Sequence, residues 1–498
     1  MSSFNLSEDI SDICCHPQPL KIMRKPDILL IMTDQQRGDC LSIEDHPVLM
    51  TPTMDTIGGS GVRFSRAYST CPVCIPARRS LMTGQFPSTH GVVGYQDGQE
   101  WDPKNSLPNV LRNAGYHTYL TGRDMHQYPV RKRYGYDHMV VLNDYRRWLE
   151  RQVDVDTYQS GGSMMGDYYA TGVMNNDWTA RPWHLDESLH HTNWTVNESL
   201  KFLQTRDPSC PYFLTVSFLA PHPPLVPPAC YLDRYLHEEL PAPAIGDWAE
   251  PPEHGGKGDD PESYRVNLQG LALKTARAAY YGMINHIDDQ MRRLLNPING
   301  VDRDNTIIIF VSDHGEMLGD HYRWRKTAPF EGSARIPFMI SAPERFGLKK
   351  RLVVDKPVCL EDLMPTLLDM IGEEPVPDID GRSVWPLMKG EEVDWREQLH
   401  IEHSELEGED DIGHHTLTDG QEKYIWFTQN GREHFFDLRE DPMELRDLTA
   451  DPACASRVSK WRQRMVEELK GRPEGFTDGE QLIAGRPYPT VMKDKAGQ

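Results

Sequence analysis

The sequence lacks any apolar run near the roughly 20 residues that a membrane-spanning helix needs, and its first 30 residues have no basic start followed by an apolar segment. Cysteine is scarce as well, with nine residues, an odd number, spread over the 498-residue chain. Scattered thiols of this kind are typical of a reducing compartment rather than of a disulfide framework. We therefore expect a cytoplasmic protein that does not associate with membranes.

Basic side chains are in the minority. Lys and Arg total 53 against 75 Asp and Glu, which gives a formal net charge of −22. This balance argues against nucleic acid as a partner, and a small anionic ligand would need a local cluster of basic residues. The length allows roughly two to four domains, or one large α/β domain with an appendage, and it leaves the oligomeric state open, a homo-oligomer included.

Three nearly continuous apolar runs, at residues 26–32, 212–220 and 306–311, have the pattern of strands buried on both faces of a parallel sheet. Helical patterns lie between them, at about residues 186–203 and 271–295. This alternation predicts an α/β fold with a large, mostly parallel sheet flanked by helices.

The pattern changes after about residue 385. Short strands are predicted at 399–402, 423–428 and 434–438, followed by a helix at 455–470. We predict four parts: an N-terminal extension at 1–24, a main α/β domain at 25–385, a small C-terminal α+β subdomain at 386–470, and a final segment at 471–498. The final segment is either a disordered tail or an arm that lies on another surface.

Polar side chains follow two of the predicted strands: Asp34 and Gln35 after the first, Asp313 and His314 after the third. Ligands of open α/β sheets bind beyond the carboxyl ends of the strands. Oxygen donors with one imidazole suit Ca²⁺, Mg²⁺ or Mn²⁺ better than a metal that prefers thiolates. Each pair alone could be a helix cap or a surface turn, but two pairs at two strand ends favour a metal site.

The segment from Cys71 to Gly84 combines two cysteines with two arginines. Pro76 suits the first turn of a helix, so Cys74 would stand just before a helix N-terminus, where an anion is favoured. Arg78 and Arg79 add positive charge. Cys71 and Cys74 could instead be a metal pair or buried thiols, but no second cysteine pair is present to complete a zinc site.

The stretch Cys74-Ile75-Pro76-Ala77-Arg78 resembles the C-x-P-x-R motif of the formylglycine-dependent sulfatases of the alkaline phosphatase superfamily. A separate maturation enzyme oxidises that cysteine to formylglycine. The similarity extends from about residue 26 to 450 and includes segments 29–35, 80–84, 220–222, 311–337 and 380–383. Gln35, where many members have Asp, is similar to the phosphonate monoester hydrolases and choline-sulfatase-like members. The resemblance implies an alkaline-phosphatase-like fold with the catalytic site in the main domain.

The resemblance also implies roles for individual residues. One divalent metal, Ca²⁺ first and Mn²⁺ or Mg²⁺ next, would be held by Asp34, Gln35, Cys74 as hydrated formylglycine, Asp313 and His314. The catalytic residues would be Cys74, Arg78, Arg123, His126, His222 and Lys326. One formylglycine hydroxyl would attack the ester, and the other, deprotonated by His126, would later expel sulfate. His222 or Lys326 would protonate the leaving alcohol.

Two departures from the family pattern leave roles open. Many members have Gly-Lys-x-His where this chain has residues 122–126, with Arg123 in place of Lys and one extra residue before His126. Tyr95 stands where relatives often have Asn, a change that would alter the pocket wall. Other histidines are assigned to packing: His184, His190 and His191 to a helix, and His286 to the core. The segment 128–183, rich in Arg, Tyr and Trp, is either a substrate-pocket wall or a surface excursion.

We expect a sulfuric ester hydrolase that releases inorganic sulfate and an alcohol from a small anionic ester. The alcohol could be a sugar, a choline-like amine or a phenol. The alternatives are a phosphonate monoester or phosphodiester hydrolase with the same site, and a non-catalytic binding paralogue, against which the intact set of site residues argues.

Overall fold

The computed structural model describes residues 24–152, 173, 176–252, 263–406 and 412–492. Its strands are β1 (Asp27–Asp34), β2 (Val62–Phe64), β3 (Ala67–Tyr68), β4 (His117–Gly122), β5 (His138–Val141), β6 (Tyr212–Pro221), β7 (Thr306–Ser312), β8 (Phe338–Ser341), β9 (Leu352–Val354), β10 (Val358–Cys359), β11 (Leu399–His403), β12 (His414–Thr418), β13 (Glu422–Phe427) and β14 (Glu433–Asp437).

Its α-helices are α1 (Pro52–Ser60), α2 (Cys74–Thr83), α3 (Pro87–His90), α4 (Leu107–Asn113), α5 (Leu142–Leu149), α6 (His191–Thr205), α7 (Ala229–Leu236), α8 (Gly270–Leu294), α9 (Glu331–Ala334), α10 (Leu363–Ile371), α11 (Trp385–Met388) and α12 (Ala455–Glu468). Short 3₁₀ helices lie at Ser42–Glu44, Glu187–Leu189, Pro297–Asn299, Asp320–Tyr322, Glu344–Phe346, Leu360–Asp362 and Pro452–Cys454. None of the helices in the described ranges combines the length and the apolar character of a bilayer-crossing segment.

The large sheet has eight strands in the order β5-β4-β6-β1-β7-β8-β2-β9. Its pairs are parallel except those of β8, which runs antiparallel to β7 and to β2. β1 is buried at every position, because alternate side chains enter separate cores on the two faces: Ile28 and Leu30 on one face, Leu29 and Ile31 on the other. This arrangement explains the continuous apolar runs of β1, β6 and β7. The predicted α/β fold with a mostly parallel sheet is confirmed.

The helix predicted at 186–203 was wrong in its extent. The chain forms the 3₁₀ helix Glu187–Leu189, breaks at His190 and continues as α6. His190 has extended backbone angles, and its Nδ1 accepts a hydrogen bond from the Thr192 amide at 3.1 Å. An imidazole that caps the helix in this way is not visible in a hydrophobic pattern.

The C-terminal part is an antiparallel sheet, β11-β12-β13-β14, covered by α12. Strand β12 was not predicted, because its sequence His-His-Thr-Leu-Thr has little apolar character. Of the two alternatives for the final segment, the structure shows an arm up to Met492. The Thr490 carbonyl accepts a hydrogen bond from the Val93 amide at 2.9 Å, and Phe476 and Tyr488 are buried in the core of the C-terminal sheet.

Candidate active site

The site lies where β1 and β7 end. These neighbouring strands are parallel and pair up to Thr33 and Ser312, so the residues that follow emerge at the same edge of the sheet. Helix α2 begins at this edge, and Cys74 is its first residue rather than the residue before it. The structure therefore brings together three segments that the sequence had marked separately.

Asp34, Cys74, Asp313 and His314 offer ligand atoms that all lie within 4.8 Å of one another. The Cys74 Sγ lies 3.2 Å from His314 Nε2 and 3.6 Å from Asp34 Oδ1. His314 Nε2 lies 3.7 Å from Asp34 Oδ1 and 3.6 Å from Asp313 Oδ1. Bonds of about 2.3–2.6 Å to Ca²⁺ place neighbouring ligands at right angles roughly 3.3–3.7 Å apart, so the set fits an oxygen-preferring cation.

The imidazole of His314 is oriented for metal binding. Its Nδ1 lies 2.9 Å from the Gly315 carbonyl, which can only accept, so Nδ1 carries the hydrogen and Nε2 presents its lone pair to the carboxylates. Burial lowers the pKa of His314, but Asp313 and Cys74 raise it by a larger amount. The net effect is a pKa above the usual value for histidine. A cation between these groups would take the place of that proton.

Arg78 connects the two carboxylates. Its guanidinium is fully buried and donates to Asp34 Oδ2 at 3.0 Å and to Asp313 Oδ2 at 2.9 Å. The other oxygens of both side chains remain directed toward His314 Nε2. Burial raises the pKa of Asp34, but the positive charges of Arg78, Arg123 and Lys326 lower it more, so that it falls well below its usual range. Burial and the charge of Asp34 together raise the pKa of Asp313.

Lys326 lies at the centre of the basic groups. Its Nζ donates to Gln35 Oε1 at 3.0 Å, to Cys74 Sγ at 3.1 Å and to His222 Nε2 at 2.8 Å. His222 Nδ1 donates to the Pro223 carbonyl at 2.5 Å, so this ring is neutral and its Nε2 is an acceptor. Burial and the charge of Lys326 lower the pKa of His222 to about 3, which agrees with a neutral ring.

Arg123 reaches the site despite the extra residue before His126. Its Nε lies 3.3 Å from Asp34 Oδ2, and its Nη2 donates to His126 Nε2 at 3.1 Å. His126 has a φ of 52°, so a left-handed turn accommodates the added residue. The ring of Tyr95 lies 6.1 Å from that of His126 and is 48% exposed, which places it at the rim of the site.

Glu316, which was not predicted from the sequence, is buried directly behind the site. Its carboxylate accepts hydrogen bonds from the side-chain amide of Gln35 and from the backbone amides of Leu318, at 2.9 Å, and Arg325. These contacts orient Gln35 so that its Oε1 faces Lys326. The only available signal was the position of Glu316 two residues after His314, and spacing alone does not show that it contacts Gln35.

The remaining sequence candidates lie elsewhere. His190 and His191 are buried with ring centroids 4.0 Å apart, His190 packs 4.9 Å from His286, and none of the three belongs to the group of ligand atoms around Cys74. Cys71 is buried, and the seven cysteines in the described ranges are all free thiols. Much of the segment 128–183, residues 153–172 and 174–175, lies outside the described residues, as does the extension up to residue 23.

Two family profiles match the chain: Sulfatase over residues 26–373, and N-sulphoglucosamine sulphohydrolase, C-terminal, over residues 319–471. An arylsulfatase of Clostridium perfringens (strain 13 / Type A) is 41% identical over 483 residues, which cover 94% of this chain and 99% of the relative. A choline-sulfatase of Rhizobium meliloti (strain 1021) is 31% identical over 457 residues, covering 86% and 83%.

The fold has a close counterpart among solved structures. The phosphonate monoester hydrolase of Agrobacterium radiobacter superposes with a TM-score of 0.73 at 26% identity, covering 89% of this chain and 95% of that protein. The Sulfatase profile spans more than half of the chain, and the arylsulfatase relative is matched along almost its whole length. Both similarities include the segment around Cys74 that forms the site. The chain therefore belongs to the sulfatase family of the alkaline phosphatase superfamily, and it is a sulfatase.

Proposed function

We propose that this sulfatase hydrolyses small sulfuric esters with a formylglycine made from Cys74 and one divalent metal, releasing inorganic sulfate and an alcohol. The observation that carries the proposal is the position of Cys74. This side chain stands at the start of a helix, among two carboxylates and an imidazole, and it contacts the ammonium group of Lys326. A separate maturation enzyme is the partner that this modification requires.

The residues fit a hard divalent cation. Asp34, Gln35, Asp313 and His314 would hold it together with the modified Cys74, and we propose Ca²⁺ first and Mn²⁺ or Mg²⁺ next, because the donors are mostly oxygens. When bound, the metal and the hydrated formylglycine supply a nucleophilic hydroxyl and polarise the sulfuryl group. Arg78 keeps the two carboxylates in place and offsets their charge.

The basic side chains divide the remaining tasks. Lys326 and Arg123 stand beside Asp34 and Cys74, where they can stabilise negative charge that develops on the ester. Lys326 is the better proton donor to the leaving alcohol, because His222 Nε2 is already an acceptor. His126 also accepts a hydrogen bond, from Arg123, which is the state that a general base requires.

For the alcohol we propose a sugar hydroxyl. The C-terminal profile is that of an N-sulphoglucosamine sulphohydrolase, and this name supports a sugar as the part of the substrate that carries the sulfate. The arylsulfatase relative makes an aryl sulfate a suitable assay substrate.

The test compares the hydrolysis of 4-nitrophenyl sulfate with that of a 4-nitrophenyl phosphonate monoester by the matured enzyme. We expect the larger kcat/KM for the sulfate. A larger kcat/KM for the phosphonate would instead favour the alternative reaction, which the structural similarity to a phosphonate monoester hydrolase supports.

A further inference from the structure

Lys326, whose catalytic role is part of the proposed function, lies in a segment of strained backbone. Its two neighbours have positive φ angles, 67° at Arg325 and 75° at Thr327. Such angles are uncommon for residues other than glycine and are costly for a β-branched residue such as Thr. The surrounding structure must therefore hold this segment in place.

Two contacts hold the segment from within the main domain. The Met317 amide donates to the Arg325 carbonyl at 2.7 Å, and the Thr327 amide donates to the Pro72 carbonyl at 2.9 Å. Pro72 lies two residues before Cys74. The backbone at Thr327 thus connects the lysine segment to the segment that carries the nucleophile.

A third contact comes from the C-terminal sheet. His414 of β12 is fully buried, and its Nε2 lies 3.3 Å from the Thr327 carbonyl. Because a carbonyl only accepts, Nε2 carries the hydrogen, and Nδ1 accepts from the Thr416 hydroxyl at 3.1 Å. Burial and the neighbouring His403 lower the pKa of His414 well below its usual value, which agrees with a neutral ring.

The same sheet holds the far end of the segment. Lys423 of β13 is fully buried and donates to the Pro329 carbonyl at 3.1 Å. Its ammonium group also forms ion pairs of 2.8 Å with Glu331 and with Glu444. Glu444 in turn accepts a hydrogen bond from the Glu331 amide at 2.8 Å. Residues 327–331 are therefore attached to β12 at one end, through Thr327, and to β13 at the other end, through Pro329 and Glu331.

We infer that the C-terminal sheet forms part of the catalytic apparatus, with His414 as a positioning residue that keeps Lys326 on Cys74 by holding the Thr327 carbonyl. Lys423 fixes the other end of the segment through Pro329 and Glu331.

A double-mutant cycle on kcat tests this role. His414→Leu removes the donor, and we expect kcat to fall by about 10- to 100-fold, as for a small misplacement of a catalytic group, with a smaller change in KM. In a Lys326→Ala background the same substitution should change kcat by less than about 2-fold, because the group that it positions is gone. An equal loss in both backgrounds would overturn the inference.

His414→Gln keeps a donor at the reach of Nε2 and should recover much of kcat, and it also carries the test if His414→Leu does not fold. His415→Leu is the matched control, since His415 is the next residue of β12, faces the other side and packs against Trp426 and Tyr488. We expect it to lower the melting temperature and leave kcat unchanged. A loss of kcat equal to that of His414→Leu would contradict the positioning role.

All variants are normalised to the fraction of formylglycine, measured by peptide mass spectrometry, so that failed maturation is not counted as lost positioning. If Lys326→Ala itself has the kcat of the wild type, then Lys326 has no catalytic role. That result would contradict both this part of the proposed function and the inference. A strong effect of Lys326→Ala with additive effects of His414→Leu would leave the proposed function in place and overturn only the inference.

Discussion

The ammonium group of Lys326 has three hydrogen-bond partners, Gln35, Cys74 and His222, and all three belong to the site. A buried charge with fixed partners is already oriented before the ester arrives, which is the condition under which a single donor stabilises a transition state most.

Lys326→Ala should therefore lower kcat on an aryl sulfate by about 10²- to 10³-fold, the loss that follows removal of one preorganised donor. Lys350→Ala, at an exposed position, should have no effect and serves as the control. Steady-state kinetics on both variants decide the matter, and an unchanged kcat/KM in Lys326→Ala would show that another group carries this charge.

Glu316 sets the orientation of Gln35, and the two residues contact each other although 281 positions separate them in the sequence. Glu316→Gln weakens this contact while it keeps the shape of the side chain. We expect metal affinity to fall by about 10- to 100-fold, as for other groups that orient metal ligands. Titration of the metal-free protein with Ca²⁺ measures this change, and unaltered affinity would mean that Glu316 does not orient a metal ligand.

At the scale of elements, the predictable parts are those with long apolar runs. β1, β6 and β7 were recognised because burial on both faces leaves little room for polar residues, and the polar residues at their ends located the carboxylates and His314. β12 was missed because His414 and His415 find their partners in other segments, so its burial leaves no apolar signature. Glu316 was missed for the same reason: its role depends on contacts between distant segments.

The C-terminal arm is an element without regular secondary structure, yet it fills part of a core. Tyr488 is fully buried, donates to Glu402 and stacks on His415. Tyr488→Ala should cost about 3–5 kcal/mol of unfolding free energy, the usual loss for a buried aromatic side chain. Arg486→Ala, at an exposed arm position, should cost less than about 0.5 kcal/mol. Denaturant unfolding of both variants checks this, and equal small losses would mean that the arm is not part of the core.

At the scale of the whole molecule, a chain with a net charge of −22 concentrates Arg78, Arg123 and Lys326 around one pair of carboxylates. The boundary near residue 385 and the cytoplasmic location stay predictions. The contact between His414 and Thr327 shows why a division into domains does not describe the catalytic unit completely: the C-terminal sheet contacts the segment that carries Lys326.

If Cys74 becomes the nucleophile of this sulfatase, activity must depend on its conversion to formylglycine. Peptide mass spectrometry of several preparations with different degrees of maturation gives the fraction of Cys74 converted to formylglycine, with Cys71 in the same segment as an internal control. We expect kcat on an aryl sulfate to rise in proportion to that fraction, while Cys71 keeps its sulfur. Full activity in protein whose Cys74 is an unmodified thiol would contradict this expectation.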